Sequence, residues 1–182
     1  MVIIHGNNSV FGSVNISGAK NAALPLLVAA SLCSEDVRLN NMPVELNDVK
    51  VLISILNKIG YKIETYGHSV IVYNSQVSTV CHVIPEEASK IRYSLLLLPL
   101  LLLKTGKVMD PIPGGCKLGD RKYDIHIESL NKLGAIMTED DEHISGILNK
   151  GFIGNSLKFH IATTSGSESA ILAAVWRRGK LS

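Results

Sequence analysis

The pentapeptide LNKIG at residues 56–60 returns as LNKLG at residues 130–134, which is a spacing of 74 residues. Two further matches keep this period or its double: Pro25 with Pro99, and Ser17-Gly18 with Ser165-Gly166. Separate matches on one fixed period are the sequence signature of a duplicated structural unit. We therefore predict two full copies of one unit and part of a third.

The first copy predicts a unit with the element order β-α-β-α-β-β. Its elements are a strand at 12–16, an apolar helix at 19–32, a strand at 37–40, an amphipathic helix at 48–59, and a hairpin formed by 61–64 and 69–73. The helix assignments follow from apolar residues at helical spacing, and the hairpin follows from alternation around a glycine. Gly60 stands where the end of a helix favours glycine.

The second copy predicts the same elements in the same order, and the third copy begins in the same way. The predicted elements are a helix at 85–103, a strand at 107–110, a helix at 123–133, extended chain at 135–147, a strand at 157–161 and a helix at 165–176. Ser165 and Glu168 have the spacing of a capping box at the start of that last helix.

The two kinds of helix differ in their apolar pattern. The first helix of each unit is apolar nearly all round, which is typical of a helix buried on every side, whereas the second is amphipathic. This predicts an α/β fold with the first helices inside and the sheets outside. Because the 74-residue period leaves the third unit incomplete, with its helix uncovered, we expect the chain to self-associate or to require a completing segment.

Composition narrows the class of protein. Hydrophobic residues make up 46% and charged residues 19%, so the chain can bury a core, and the formal charge of +2 gives no reason to expect nucleic-acid binding. The longest apolar run, at 95–103, is too short to span a membrane, and the first residues do not resemble a secretion signal. We therefore expect a cytoplasmic protein without a membrane segment.

Cysteine usage gives no disulfide framework or structural metal site. The three cysteines form an odd set without a CxxC pair. Cys33 and Cys81 lie in or beside apolar stretches and are expected to be core thiols. Cys116 instead lies in a stretch rich in glycine and proline, PIPGGCKLGDR at residues 111–121. The cations Lys117 and Arg121 would favour its thiolate form, although an incidental cysteine on a surface loop is the alternative.

Two more stretches carry candidate binding groups. Lys20 and Asn21 follow Ser17-Gly18 at a predicted helix start, where backbone N–H groups and the helix dipole favour an anion. The alternative is an ordinary serine-capped helix with a solvated lysine. Arg92 lies near the start of an apolar helix, where it must be paired, reach water or meet a ligand.

Charge and hydroxyl groups also cluster at 121–126 and at 163–166. Each cluster on its own is weak evidence for a binding site. A lone histidine such as His126 is more often a residue of a helix surface than a ligand-binding residue or a base.

Taken together, these stretches resemble the UDP-N-acetylglucosamine enolpyruvyl transferase family of the EPSP synthase-like superfamily. The resemblance rests on ISGAKNAALP at 16–25, on PGGC at 113–116, and on Gly119, Arg121, Asp124 and His126 beyond it. It implies a two-lobed inverted α/β barrel with three units in each lobe. Residues 1–16 would then belong to the second lobe, and residues 17–182 would form the first lobe, truncated in its third repeat.

The resemblance also implies a reaction, in which the enolpyruvyl group of phosphoenolpyruvate moves to the 3-hydroxyl of UDP-N-acetylglucosamine. This is the first committed step of peptidoglycan synthesis, and therefore of cell-wall formation, cell shape and division. The resemblance implies catalysis by Lys20, Arg121 and Cys116, the last being the lid thiol that fosfomycin alkylates. Arg92 would help to bind phosphoenolpyruvate, and Asn21 would contact the sugar. The residues implied in nucleotide binding are Asp124, Ile125, His126, Thr164, Ser165 and Gly166. No metal or organic cofactor is implied.

The sequence departs from the family in two respects. The family chain is more than twice as long, and its general-base aspartate lies in the part without a counterpart here. Ala162 stands where the family often has a lysine. We expect a transferase that is active only when completed, by a C-terminal half or a longer chain. The alternative is an inactive remnant that at most binds the sugar nucleotide.

Overall fold

The computed structural model describes residues 2, 3, 6, 9, 11–113 and 123–175. These residues form five α-helices, two three-stranded sheets and short 3-10 turns. In chain order the elements are α1 (Lys20–Leu32), β1 (Val37–Leu39), α2 (Asn47–Lys58), β2 (Ile63–Tyr66), β3 (Ser69–Val72), α3 (Leu97–Thr105), β4 (Lys107–Pro111), α4 (Asp124–Lys132), β5 (Ile136–Glu139), β6 (His143–Ile147) and α5 (Thr164–Ala174). The predicted α/β class is confirmed.

The two sheets repeat one design. Both are antiparallel, with the strand orders β1-β3-β2 and β4-β6-β5, so the last strand of each unit lies in the middle. Val72 in β3 lies opposite both Val37 and Ile63. In the second sheet, Ile147 in β6 lies opposite both Lys107 and Ile136. The sheets therefore have the matching topology that a duplicated unit requires.

The repeated LNK sequence has a structural reason. The Oδ1 of Asn57 accepts a hydrogen bond from the backbone N–H of Ile63 at 2.8 Å. Seventy-four residues later, Oδ1 of Asn131 accepts from the N–H of Met137, also at 2.8 Å. In both copies the asparagine therefore ties the end of the amphipathic helix to the strand that follows it.

Gly60 completes that connection. Its φ of +112° lies in the region that disfavours side chains. A Cβ there would approach the carbonyl oxygen of Thr79 to 2.2 Å. Glycine is therefore required both by the turn and by the close passage of the chain.

The core is built around α3, whose residues Leu97 to Leu102 are all buried. The other two first helices differ from the expectation of complete burial. Leu26 in α1 and Ile171 in α5 remain 48% and 59% exposed. The described residues therefore leave apolar side chains of α1 and α5 exposed to solvent.

The helix predicted at 85–103 is broken in the structure. Two 3-10 turns, Glu86–Lys90 and Arg92–Leu96, precede α3, and Ile91 between them is extended. Pro99 lies in the first turn of α3. Because proline has no N–H and clashes with the carbonyl four residues earlier, it is best tolerated in the first turn of a helix. Arg92 therefore lies at the start of a 3-10 turn.

The strands predicted at 12–16 and 157–161 are wrong. No strand forms at either place in the described residues, and Val14 and Ile16 are exposed. Alternation and β-branched residues favour extended chain, but a strand requires a partner with which to exchange hydrogen bonds. Neither segment has such a partner strand among the residues that the structure describes.

The expectation for two cysteines is also wrong, because Cys33 and Cys81 are both exposed free thiols. Cys33 follows the last residue of α1, so it leaves the buried face of the helix at that point. As for membranes, none of the helices within the described ranges is long and apolar enough to cross one.

Candidate functional site

The N-terminal ends of four helices are linked in pairs. At the starts of α1 and α2, Nζ of Lys20 lies 2.9 Å from Oδ2 of Asp48. At the starts of α4 and α5, Nε2 of His126 lies 3.2 Å from Oγ of Ser165. Since helix N-termini carry partial positive charge and unpaired N–H groups, such a gathering favours anionic ligands.

The first pair is positioned by a close approach of backbone to backbone. A Cβ on Gly18 would lie 2.0 Å from the carbonyl oxygen of Asn41, which itself has a φ of +54°. This contact holds the entry to α1 against the loop that leads to α2. The N-cap of α1 is Ala19, without a side-chain hydrogen bond, so the alternative of a serine-capped helix is wrong.

Lys20 is able to exchange its partner. Its side chain is 46% exposed and that of Asp48 is 32% exposed. An ion pair with that much solvent contact contributes little net stability, about 0–1 kcal/mol. A phosphate or carboxylate arriving at the start of α1 can therefore replace Asp48 as the partner of Lys20 at small cost.

His126 is a buried residue rather than the surface histidine that its local sequence favours. It is 2% exposed, and its Nδ1 has no hydrogen-bond partner in the structure. Burial and, to a smaller extent, the charge of Arg92 lower the pKa of His126 to about 4, while the charge of Asp124 opposes that shift. At neutral pH the imidazole is therefore uncharged and joins α4 to α5 through Ser165.

The start of α5 departs from the predicted capping box. The N-cap is Thr163, whose Oγ1 accepts a hydrogen bond from the N–H of Gly166 at 3.1 Å. Ser165 instead faces His126. The spacing of Ser165 and Glu168 fits a capping box, but the helix begins earlier than that spacing assumes, so both side chains are available for other contacts.

We predict that Thr163→Ala destabilises the chain by about 1 kcal/mol, because the N–H of Gly166 loses its acceptor. The measurement is urea unfolding followed by circular dichroism. Thr138→Ala, an exposed change in β5, serves as the control. Equal stability of Thr163→Ala and the unmodified chain would contradict the cap.

Tyr93 connects the two helix pairs. It follows Arg92 in the 3-10 turn, and α5 packs against that turn. Burial raises the pKa of the Tyr93 hydroxyl, and the nearby charges of Glu168 and Asp48 raise it further. The 3-10 turn that carries Tyr93 packs against α1 as well as α5, so it lies between one helix of each pair.

The structure brings only some of the predicted site residues into this arrangement. Ile125 is buried beside Gly166, where an added Cβ would meet its Cγ2 at 2.7 Å. Asn21 and Thr164 are exposed in the first turns of α1 and α5. Asp124 is exposed, and its Oδ1 accepts from the N–H of Ile125 at 3.0 Å.

Two predicted residues, Cys116 and Arg121, lie outside the described residues. Three residues at the site were missed by sequence reasoning: Asp48, Tyr93 and Glu168. Of these, Asp48 had a usable signal, since an acidic residue in the first turn of a helix is a recognised N-terminal feature.

Comparison with known proteins places the chain in one family. Residues 4–181 match the family model described as EPSP synthase (3-phosphoshikimate 1-carboxyvinyltransferase). UDP-N-acetylglucosamine 1-carboxyvinyltransferase of Orientia tsutsugamushi (strain Boryong) is 35% identical over 98% of this chain. UDP-N-acetylglucosamine 1-carboxyvinyltransferase 1 of Legionella pneumophila (strain Lens) is 38% identical over 97% of it. The chain spans 42% and 35% of the lengths of these two relatives.

Solved structures show the same fold at lower identity. The enolpyruvyl transferase NikO from Streptomyces tendae superposes with a TM-score of 0.73 at 20% identity, covering 97% of this chain and 41% of that protein. EPSP synthase from Acinetobacter baumannii gives a TM-score of 0.73 at 15% identity, covering 92% of this chain and 39% of that protein. These similarities show that the repeated α/β architecture has the enolpyruvyl transferase fold.

Proposed function

The chain belongs to the EPSP synthase (3-phosphoshikimate 1-carboxyvinyltransferase) family, and from that membership we propose that it binds UDP-N-acetylglucosamine and phosphoenolpyruvate for enolpyruvyl transfer. The two relatives named above, which are transferases acting on UDP-N-acetylglucosamine, support that choice of acceptor. The observation that carries the proposal is the linkage of four helix N-termini in two pairs, Lys20–Asp48 and His126–Ser165, with the turn of Tyr93 packed against α1 and α5.

The nucleotide is assigned to the ends of α4 and α5. Two oriented helix dipoles meet there, Arg92 supplies a cationic charge that reaches His126, and the imidazole is neutral at pH 7. A diphosphate can accept hydrogen bonds from the first-turn N–H groups of α5 that Thr163 does not cap, such as that of Ser165. Asp124 and Ile125 stand on the other side of this junction and are assigned to the uridine.

Phosphoenolpyruvate is assigned to the start of α1. Lys20 can leave Asp48 for its phosphate or carboxylate, and the dipole of α1 favours the same charge. Arg92 and Arg121 complete the cationic set in this proposal. Fixed positive groups at this position also stabilise the charge that develops on phosphate as it leaves.

The chemistry requires a base that accepts the proton of the sugar 3-hydroxyl, and we assign none to this chain. In the proposal the base comes from the further part of the family fold, as a C-terminal half or a longer chain. Cys116 is assigned to the adduct with phosphoenolpyruvate and to alkylation by fosfomycin. Activity of this kind places the protein in cytoplasmic peptidoglycan synthesis.

Two measurements test the proposal. Isothermal titration with UDP-N-acetylglucosamine is expected to show one site per chain, and phosphate release from phosphoenolpyruvate is expected only after a C-terminal half from a relative is added. Phosphate release by the chain alone would contradict the assignment of the base. A folded chain that binds neither UDP-N-acetylglucosamine nor UDP would overturn the proposal, and binding without release in the completed assembly would leave a sugar-nucleotide binder.

We predict that Lys20→Met weakens binding of phosphoenolpyruvate about tenfold, since a hydrogen bond to a charged group is worth about 1.5–3 kcal/mol. Binding of UDP-N-acetylglucosamine should change by less than about twofold, because Lys20 lies at the other helix pair. The measurement is titration with phosphoenolpyruvate at saturating UDP-N-acetylglucosamine. Lys132→Met, which removes an exposed partner of Glu128, is the matched control.

A further inference from the structure

Glu168 has a carboxylate oxygen that the site as described leaves unused. Its Oε2 is buried and has no hydrogen-bond partner in the structure, although the residue as a whole is only half-buried. A buried acceptor without a donor destabilises the folded chain, and more so when it is charged. Oε2 of Glu168 therefore favours a ligand that donates a hydrogen bond to it.

The position of Glu168 along the site is fixed by its neighbours. The end of the site assigned to the nucleotide holds His126 in contact with Ser165. The charge of Arg92 lowers the pKa of this histidine. The next residue, Tyr93, lies in the 3-10 turn that packs against α5. Glu168 is three positions beyond Ser165 in α5 and is therefore close to it on the helix surface.

The turn that carries Tyr93 also contacts α1, the helix that begins with Lys20, so it lies between Lys20's helix and α5. A sugar nucleotide whose diphosphate lies at Ser165 and whose reacting hydroxyl faces Lys20 would pass along the part of α5 on which Glu168 lies.

The chemistry of the sugar fits this position. A carboxylate accepts hydrogen bonds and repels anions, so it suits the hydroxyl and amide N–H donors of an N-acetylated sugar and not a phosphate. Resting on the proposed function, we propose that Glu168 is a specificity-determining residue that accepts a hydrogen bond from the sugar of the sugar nucleotide. Glu168 thereby makes the chain bind UDP-N-acetylglucosamine more tightly than UDP.

The test compares two ligands in matched variants. The dissociation constants of UDP-N-acetylglucosamine and UDP are measured by isothermal titration for the unmodified chain, Glu168→Gln and Glu168→Ala. Glu168→Ala is expected to bind UDP-N-acetylglucosamine about tenfold more weakly and UDP within about twofold of the unmodified chain. Glu168→Gln should lose less, since its carbonyl oxygen still accepts. Glu128→Ala, an exposed acid on α4, should change neither constant.

The outcomes separate this inference from the proposed function. An unchanged ratio of the two dissociation constants in Glu168→Ala overturns the role of Glu168 and leaves the proposed function in place. Failure of the unmodified chain to bind either ligand overturns the proposed function and this inference with it. If Glu168→Ala does not fold by circular dichroism, Glu168→Gln, which keeps the side-chain volume, decides by the same ratio.

Discussion

Replacing Asp110 by asparagine is expected to stabilise the chain by about 3 kcal/mol more at pH 8 than at pH 5. Asp110 lies in β4 with no exposed surface, and neither carboxylate oxygen has a hydrogen-bond partner in the structure. Burial raises the pKa of Asp110 to about 8. The Ser94 hydroxyl lies close enough to lower the pKa of Asp110 slightly, although it forms no hydrogen bond of normal geometry. The charge of Glu86 raises the pKa of Asp110 further.

The direction of the effect follows from proton linkage. Between pH 4 and pH 8 the folded chain keeps the Asp110 proton and the unfolded chain does not, so the free energy of unfolding falls as pH rises. The slope approaches about 1.4 kcal/mol per pH unit for one fully shifted group. His126 acts oppositely between pH 4 and pH 6.5, because its lowered pKa makes the unfolded chain bind the extra proton. The loss in the unmodified chain is therefore concentrated above pH 6.5.

Urea unfolding of the unmodified chain and of Asp110→Asn at pH 5, 6, 7 and 8 measures this difference. The comparison isolates Asp110, since the His126 contribution is common to both chains. Asp141→Asn, which alters an exposed acid in the β5–β6 turn, should give a constant difference at all four pH values. Parallel stability curves for Asp110→Asn and the unmodified chain would contradict a buried, proton-holding carboxyl.

The fold was predictable wherever the determining contacts are local or repeated. The LNK repeat located α2 and α4, because one asparagine makes the same bond to the following strand in both units. The hairpin around Gly67 needed only alternation and a glycine of positive φ. Segments 12–16 and 157–161 have the same local strand character, but strand formation depends on partners distant in sequence, which the pattern does not reveal.

The site was predictable to a smaller extent. Helix-start signals drew attention to Lys20 and to residues near Ser165, because they depend on short spacing. The links among the helices join residues 28 positions apart, as in Lys20–Asp48, and 39 apart, as in His126–Ser165. Tyr93 carries no motif of its own, and its position comes from a packed 3-10 turn that the sequence pattern assigned to a continuous helix. Glu168 fits a capping box with Ser165, a pattern that predicts a helix start and no contact with a ligand.

Replacing Gly166 by alanine is expected to weaken binding of UDP-N-acetylglucosamine about 100-fold. An added Cβ would lie 2.6 Å from Cγ2 of Thr163 and 2.7 Å from Cγ2 of Ile125. Thr163 cannot turn away without also moving Oγ1, which caps α5, and Ile125 is held in the buried face of α4. The methyl group must therefore push α5 from α4 and break the His126–Ser165 contact, which in the proposed nucleotide site removes about two hydrogen bonds to the diphosphate.

Isothermal titration of Gly166→Ala with UDP-N-acetylglucosamine and with UDP measures the loss, which should be equal for the two ligands because the diphosphate is common to both. That equality distinguishes Gly166→Ala from Glu168→Ala, for which only the sugar nucleotide should lose affinity. Gly6→Ala is the control, since its added Cβ meets nothing within 4 Å. Thermal unfolding curves identify a temperature at which each variant is folded, and the titrations are run at that temperature. A folded Gly166→Ala chain that binds both ligands as tightly as the unmodified chain would show that the α4–α5 junction does not hold the diphosphate.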